Sequence, residues 1–245
     1  MPDIVAGRQP VVEALKSGRS INRILLARNA VRHEAIAELL RLARGRGVPV
    51  EYVDRAVLDK TAATSVHQGV LAYAAAKEYV SLDDLLAVSH KKEEAPLYCI
   101  LDGLEDPHNL GAIIRSAEAS GVHGLIIRAR REVGLTAVVA KASAGAIEYV
   151  PVARVPNISR AIEQLKKEGI WAVGIDAAGT VAYYKVDFRL PTAVVIGSEG
   201  KGISDLVRRK CDLLAAIPMR GKISSLNASV AAALVMYEAF RQRSR

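Results

Sequence analysis

The stretch from Val194 to Ala233, VVIGSEGKGISDLVRRKCDLLAAIPMRGKISSLNASVAAA, contains the strongest structural signals of the chain. An apolar strand is predicted over Ala193–Ile196, and it leads into a loop with three glycines in six residues, Gly197–Gly202. A short helical piece with a basic end, Ile203–Lys210, separates this loop from a second apolar strand over Leu213–Ile217. Because open α/β sheets bind ligands where their strands end in such loops, the stretch predicts a binding site.

The end of the same stretch predicts a long final helix over Ser225–Arg241, with Ser224 or Ser225 as its N-terminal cap. Asn227 falls outside the apolar stripe of this helix, so its amide is a candidate site group. The stripe is predicted to be buried, and its members at helical spacing are Leu226, Val230, Leu234 and Tyr237.

Strands and helices alternate from Leu97 onward. The predicted strands before the opening stretch are Leu97–Leu101, Gly124–Arg128, Tyr149–Ala153 and Trp171–Asp176. The predicted helices between them are Asn109–Ser120, Thr136–Ala142 and Ile158–Glu168. Because the strands are nearly continuous apolar runs, we predict a parallel sheet covered by helices on both faces, in a domain over residues 96–245.

Residues 1–76 predict a separate, small α/β domain. Its amphipathic helix is predicted over His33–Arg44, and Ser81 is predicted to cap a short helix in a polar linker over residues 77–95. The strands of this first domain are predicted over Ile21–Ala27, Val48–Val53 and Gly69–Ala75.

Composition and charge restrict the class of protein. The 245 residues carry a formal net charge of +8, which is typical of nucleic-acid-binding proteins but also of a solvated basic surface. Cys99 and Cys211 belong to no cysteine–histidine cluster, so neither a metal site nor a disulfide framework is expected. With no secretory signal and no apolar run of membrane-spanning length, we expect a cytoplasmic protein without a membrane partner.

Several common catalytic motifs are absent. The Gly197–Gly202 loop has neither the spacing nor the hydroxyl group of a Walker A phosphate loop. No strand is followed by GxGxxG, and the HExxH and GxSxG motifs are missing. The sequence therefore disfavours an ordinary dinucleotide site, a metalloenzyme and a serine hydrolase.

A second polar turn, LDGLEDPHNLGAIIR, spans residues 101–115. Asn109 is predicted to cap the helix that follows the turn. Arg115 lies six residues later, within side-chain reach of the helix N-terminus, where an anion would bind. A simple cap followed by a solvated arginine is the alternative interpretation of this motif.

Three motifs in this order together resemble the SpoU branch of the SPOUT RNA methyltransferases: NxGxxxR at Asn109–Arg115, IGSEGKGIS at Ile196–Ser204, and IPMRGKISSLNASVA at Ile217–Ala231. The N-terminal unit, with AGRQPVVEAL and HQGVLA, resembles the L30e-like RNA-binding domain of some members. The resemblance implies an α/β SPOUT domain with a parallel sheet and a deep trefoil knot, which forms a homodimer.

The resemblance also implies the reaction, which is methyl transfer from S-adenosylmethionine to a ribose 2′-hydroxyl of RNA, most closely a guanosine of 23S ribosomal RNA. No metal is implied. Arg115 is implied at the hydroxyl and its phosphate, and we expect Glu199 and Asn227 to orient it. The implied catalytic positions are Asn109, Arg115, Glu199, Ser225 and Asn227. The implied cofactor positions are Gly197, Ile217 and Leu226.

Basic residues in or near the predicted loops are candidates for contacts with RNA phosphates, which would make RNA binding weaken as salt rises. These candidates are Arg8, Arg128, Arg130, Arg131, Arg220 and Lys222.

Two other functions stay open. One is a transfer-RNA ribose 2′-O-methyltransferase of the same family, and the other is a non-catalytic protein that binds ribosomal RNA or assists ribosome assembly. The intact polar residues Asn109, Arg115 and Glu199 favour catalysis. The N-terminal unit favours ribosomal over transfer RNA.

Overall fold

The structure is a computed structural model, which describes residues 3–30, 34–62, 66–90, 94–130, 132–223 and 225–244. The chain divides into two compact units. The first unit consists of Met1–Glu78 together with Gly134–Tyr149, and the second consists of Tyr79–Val133 and Val150–Arg245.

The secondary structure follows the predicted alternation. The strands are β1 (Asp3–Ala6), β2 (Ile21–Ala27), β3 (Val50–Val53), β4 (Val70–Ala74), β5 (Leu97–Asp102), β6 (Gly124–Arg128), β7 (Val152–Val155), β8 (Trp171–Ile175), β9 (Val181–Ala182), β10 (Thr192–Gly197) and β11 (Leu213–Ala216). The helices are α1 (Arg8–Lys16), α2 (Glu34–Gly45), α3 (Arg55–Thr61), α4 (Leu82–His90), α5 (Pro107–Ala119), α6 (Ala137–Ala142), α7 (Ile158–Lys167), α8 (Asp205–Arg208) and α9 (Ala228–Arg243). Two 3₁₀ turns occupy Ala146–Glu148 and Tyr183–Lys185.

Proline shifts the start of two strands relative to the prediction. Proline has no backbone N–H to give to a neighbouring strand, so it favours the edge or the beginning of a strand. Accordingly, β3 begins at Val50 after Pro49, and β7 begins at Val152 after Pro151, three residues later than predicted. The short strands β1 and β9 were not predicted.

The first unit contains a four-stranded sheet in the order β1-β4-β2-β3. Strands β1 and β2 run antiparallel to β4, whereas β3 runs parallel to β2. The Arg19 guanidinium lies within 2.7 Å of the Asp3 carboxylate and 2.8 Å of the Glu148 carboxylate. This ion-paired cluster joins the segment Gly134–Tyr149 to the N-terminal sheet, a long-range contact that local sequence patterns did not predict.

The second unit is built on a seven-stranded sheet in the order β7-β6-β5-β10-β8-β11-β9. All of its strand pairs are parallel, which confirms the predicted parallel sheet. Helix α4 lies in the segment predicted as a linker, but Leu82, Leu85 and Leu86 pack into the core of this unit. Among the described residues, no helix combines the length and apolar character that crossing a membrane requires.

Helix α9 differs most from its prediction. It begins at Ala228 rather than Ser225, and its buried residues are Ala228, Ala232, Val235, Met236 and Ala239. The stripe that was predicted to be buried faces outward instead, because Val230, Leu234 and Tyr237 are all exposed. Helix α9 packs on α5 and against β10, the strand that leads into the glycine loop.

Candidate functional site

A cavity of about 760 Å³ lies at the carboxyl ends of the adjacent strands β10, β8 and β11. Its volume is typical of small-molecule sites, and this end of a parallel sheet is where α/β proteins bind ligands. It brings together six residues that the sequence analysis selected: Gly197, Glu199, Ile217, Ser225, Leu226 and Asn227.

The glycine loop closes on itself beside this cavity. Ser198 and Gly202 exchange backbone hydrogen bonds of 3.1 and 2.9 Å. A Cβ atom at Gly197 would lie only 2.0 Å from the backbone carbon of Gly202. The prediction that Gly197 allows a ligand to approach is therefore incomplete, because the glycine is required first by the returning loop of its own chain.

Three polar side chains from three elements form one hydrogen-bonded network. The Asn109 amide donates to Oε1 of Glu199 at 2.7 Å, and the Asn227 amide donates to the same oxygen at 2.5 Å. Asn227 also donates to Oδ1 of Asn109 at 3.0 Å. The network ties the start of α5 and the start of α9 to the glycine loop, so it joins the three sequence motifs physically.

The helix caps correct two predictions. Asp106, and not Asn109, caps α5 by accepting a hydrogen bond from the backbone N–H of His108. Asn227 caps α9 through Oδ1, whereas Ser225 lines the cavity and Ser224 lies outside the described residues. Asn109 is thereby left inside the first turn of α5, with its side chain directed to the network.

Arg115 lies exposed on α5, two turns along from Asn109. Within the ranges that the structure describes, its guanidinium has no hydrogen-bond or ion-pair partner. Glu199 and Asn227 bond to each other and to Asn109 rather than to Arg115, so the expectation that they orient Arg115 stays a prediction. Arg115 is therefore available to a substrate.

The predicted RNA-binding residues differ in whether their side chains have partners within the protein. Arg128 lies 2.7 Å from the buried carboxylate of Asp102 and also near Glu132, so its guanidinium already has acidic partners, and its role at RNA stays a prediction. Nε of Arg8 donates to the carbonyl oxygen of Gln68. The candidates that are exposed and have no side-chain partner among the described residues are Arg130, Arg220 and Lys222. Arg131 lies outside the described residues.

The structure also reveals polar groups that the sequence analysis missed. Asp102 accepts hydrogen bonds from both the backbone and the hydroxyl of Ser204, which fixes the far end of the glycine loop. Asp176 and Arg208 line the cavity as an ion pair with a separation of 2.9 Å. The strand-end rule would have selected Asp176, which directly follows β8.

The buried carboxylate of Glu132 supports the turn that precedes α5. Its carboxylate accepts hydrogen bonds from the backbone N–H groups of Gly103 and Arg128 at 2.7 and 2.8 Å. Burial raises the pKa of Glu132, and these hydrogen bonds act in the opposite direction. The turn that precedes α5 is therefore held by charged side chains that are largely removed from water.

Comparison with known proteins agrees with this geometry. Residues 96–237 match the SpoU rRNA Methylase family, and residues 4–80 match the RNA 2′-O ribose methyltransferase substrate binding family. A Bacillus subtilis protein, named as a putative TrmH family tRNA/rRNA methyltransferase, YacO, is 51% identical over 98% of this chain and 96% of its own length.

Solved structures share the whole fold. The SpoU methyltransferase AviRb from Streptomyces viridochromogenes, in complex with S-adenosylmethionine, is 30% identical with a TM-score of 0.82. That similarity covers 98% of this chain and 90% of AviRb. An RNA 2′-O ribose methyltransferase is 25% identical with a TM-score of 0.80, over 99% of this chain and 89% of that one.

The fold and site are therefore those of an RNA methyltransferase that uses S-adenosylmethionine. The chain belongs to the SpoU rRNA Methylase family. Its cavity fits this cofactor chemically, since it combines apolar walls at Ile196, Ile217 and Leu226 with polar groups at Asp176 and Ser225.

Gly197 gives a direct test of the cavity. We expect Gly197→Ala to weaken the binding of S-adenosylhomocysteine at least tenfold, because the new methyl group forces the glycine loop away from β10. Gly221→Ala is the matched control, since a Cβ at Gly221 meets nothing within 4 Å. Isothermal titration calorimetry measures both affinities, and equal affinities for the two variants would contradict this role of Gly197.

Proposed function

We propose that the protein transfers a methyl group from S-adenosylmethionine to a ribose 2′-hydroxyl of RNA, with a guanosine of 23S ribosomal RNA as the substrate. The observation that carries this proposal is the network of Asn109, Glu199 and Asn227, which joins the cofactor cavity to the helix that presents Arg115. The similarity to an RNA 2′-O ribose methyltransferase, over 99% of this chain, supports ribose as the acceptor.

The bound cofactor supplies an activated methyl group on a sulfonium sulfur, so the protein must mainly position the acceptor and accommodate its proton. Gly197, Ile217 and Leu226 line the cavity, and in this proposal they would hold the cofactor there. Ser225 adds a hydroxyl at the same wall. These residues bind and orient, and none of them needs to form a covalent bond.

Arg115 acts on the substrate in this proposal. An arginine keeps its proton in proteins, so it is a poor general base. Its planar guanidinium is suited to holding the target phosphate with two parallel hydrogen bonds and to stabilising the alkoxide that forms at the 2′-oxygen. The proton then leaves to a phosphate oxygen or a water molecule.

The RNA is bound through both parts of the chain. We propose that residues 1–76 form the L30e-like substrate-binding domain and that residues 77–95, whose helix α4 packs on the second unit, lead into the methyltransferase domain. The match of residues 4–80 to a substrate-binding family supports the first assignment. Arg8, Arg130, Arg220 and Lys222 supply contacts to phosphates. Because the substrate is ribosomal RNA, the enzyme acts in the cytoplasm.

We also propose that the protein acts as a homodimer through α5 and α9. The apolar side chains Val230, Leu234, Tyr237 and Phe240 of α9 are 39–48% exposed. A groove of about 600 Å³ runs along this face and includes Ala112 and Ser116 of α5. Contiguous exposed apolar surface of this kind is typical of protein interfaces, and a second copy of the chain provides an equally apolar face.

A trefoil knot is consistent with the path of the chain around β11. Strands β8 and β9 pair with opposite edges of β11, although only residues 176–180 join them. This connection crosses β11 so closely that a Cβ at Gly179 would lie 2.4 Å from the backbone of Ala215. We propose that β11 passes beneath this connection as part of a knotted segment.

Arg115→Lys tests the role of the guanidinium. We expect the rate of methyl transfer to fall about 100-fold, because lysine keeps the charge but loses the planar pair of donors. The affinity for S-adenosylhomocysteine should not change, since Arg115 does not line the cavity. Arg160→Lys, at an exposed position of α7, is the control. A near-normal rate for Arg115→Lys at saturating RNA would rule out the clamp.

The substrate is identified by mapping ribose methylation in cells with and without the gene. We expect one 2′-O-methylguanosine to disappear from 23S ribosomal RNA. Loss of a 2′-O-methyl group from transfer RNA alone would replace this substrate with the transfer-RNA alternative. Unchanged ribose methylation in both RNA classes would favour a non-catalytic protein.

Leu234→Glu tests the homodimer. We expect the wild-type protein to sediment as a dimer and the variant as a monomer, because a charge would be buried without a partner at the interface. Leu206→Glu serves as the control, since Leu206 is 52% exposed and lies outside the groove. A monomeric wild-type protein, or a dimeric Leu234→Glu variant, would contradict the proposed interface.

A further inference from the structure

Asp176 is a carboxylate inside the cavity that neither the cofactor positions nor the polar network uses. It directly follows β8, the middle of the three strands whose ends form the cavity. Its side chain is only 9% exposed, although it belongs to the cavity wall. A carboxylate this far removed from water requires hydrogen-bond donors or a compensating charge. The partners that are present therefore indicate which of its acceptor positions are still free.

The hydrogen bonds of the Asp176 carboxylate leave some of its acceptor positions free. Its Oδ1 accepts from the backbone N–H of Ala178 at 2.9 Å, and its Oδ2 accepts from the Arg208 guanidinium at 2.9 Å. An ionised carboxylate offers about four acceptor positions, so roughly two stay available. Gly202 also lines the cavity, and a Cβ at this position would lie 3.9 Å from Oδ2, so the glycine leaves space beside this oxygen.

We propose that Asp176 binds the two ribose hydroxyls of S-adenosylmethionine and that Arg208 positions its carboxylate. This inference rests on the assignment of the cavity to S-adenosylmethionine. Two neighbouring hydroxyls present two donors, which a carboxylate with two free acceptor positions satisfies. Among the described residues lining the cavity, the other carboxylate is Glu199, whose Oε1 already accepts from Asn109 and Asn227.

The charge of the pair favours a neutral partner over a cationic one. Arg208 lies 2.9 Å from Asp176 and compensates its negative charge. The attraction between Asp176 and the sulfonium or ammonium group of the cofactor is therefore reduced, while its free acceptor positions can still receive hydrogen bonds from neutral hydroxyl groups. Asp176 thus recognises the ribose of the cofactor, whereas Glu199 and its two asparagines connect the cavity to α5.

The test compares two neutral-sulfur probes by isothermal titration calorimetry: S-adenosylhomocysteine and its 2′,3′-dideoxy analogue, which lacks both ribose hydroxyls. We expect the wild-type protein to prefer the first probe at least tenfold. Asp176→Ala should lose this preference by binding S-adenosylhomocysteine more weakly, with unchanged affinity for the dideoxy probe. Asp176→Asn, which keeps the shape and part of the acceptor capacity, should retain an intermediate preference.

Two further variants distinguish the positioning of Asp176 by Arg208 from a general disruption of the cavity. Arg208→Gln should reduce the preference for the ribose-bearing probe without weakening the dideoxy probe, which a loss of packing alone would not do. Asp187→Ala, at a carboxylate paired with Arg189 outside the cavity, should behave as wild type.

The titrations can contradict either ribose recognition by Asp176 or the assignment of the cavity to the cofactor. If Asp176→Ala keeps the wild-type preference, or weakens both probes equally, ribose recognition by Asp176 is overturned. If the wild-type protein binds neither S-adenosylhomocysteine nor S-adenosylmethionine, the assignment of the cavity fails, and this inference fails with it.

Discussion

A single oxygen atom, Oε1 of Glu199, accepts hydrogen bonds from two amides that come from opposite ends of the second unit's sequence. Asn109 belongs to α5, and Asn227 precedes α9. Asn109 is 7% exposed, so removing its acceptor would leave a polar group in the interior without compensation. The positions of α5, α9 and the glycine loop consequently depend on one another, and two members of the network, Glu199 and Asn227, also line the cavity.

The glycine loop is held at both of its ends. Asn227 uses its amide nitrogen for the network and its amide oxygen to cap α9, so one side chain fixes both the site and the helix. At the other end, Asp102 binds Ser204 and is compensated by Arg128. Because Arg128 compensates the charge of Asp102, its position at a strand end is not by itself evidence of an RNA contact.

Local sequence patterns predicted those structural features that are set by residues close together in the sequence. Apolar runs predicted the parallel sheet, and glycines after β10 predicted the site. Capping was assigned wrongly because Asp106, Asn109, Ser225 and Asn227 are all capable caps, and only contacts across the fold decide which one is used. Gly134–Tyr149 belongs to the first unit, and the contacts that hold it there, such as the ion pair of Arg19 with Glu148, join residues far apart in sequence, which no periodicity encodes.

Helix α9 shows why the spacing of apolar residues alone does not predict which face of a helix is buried. Its sequence is apolar on nearly every face, so spacing alone could not distinguish Val235 and Met236, which are buried, from Leu234 and Tyr237, which are exposed.

The exposed face continues onto α5 at Ala112 and Ser116, which lie on either side of Arg115 in sequence. One helix therefore contributes Asn109 to the network, Arg115 to the substrate and an apolar edge to the groove. In the proposed homodimer, a second copy of the chain seated in that groove would contact α5 at the residues next to Arg115.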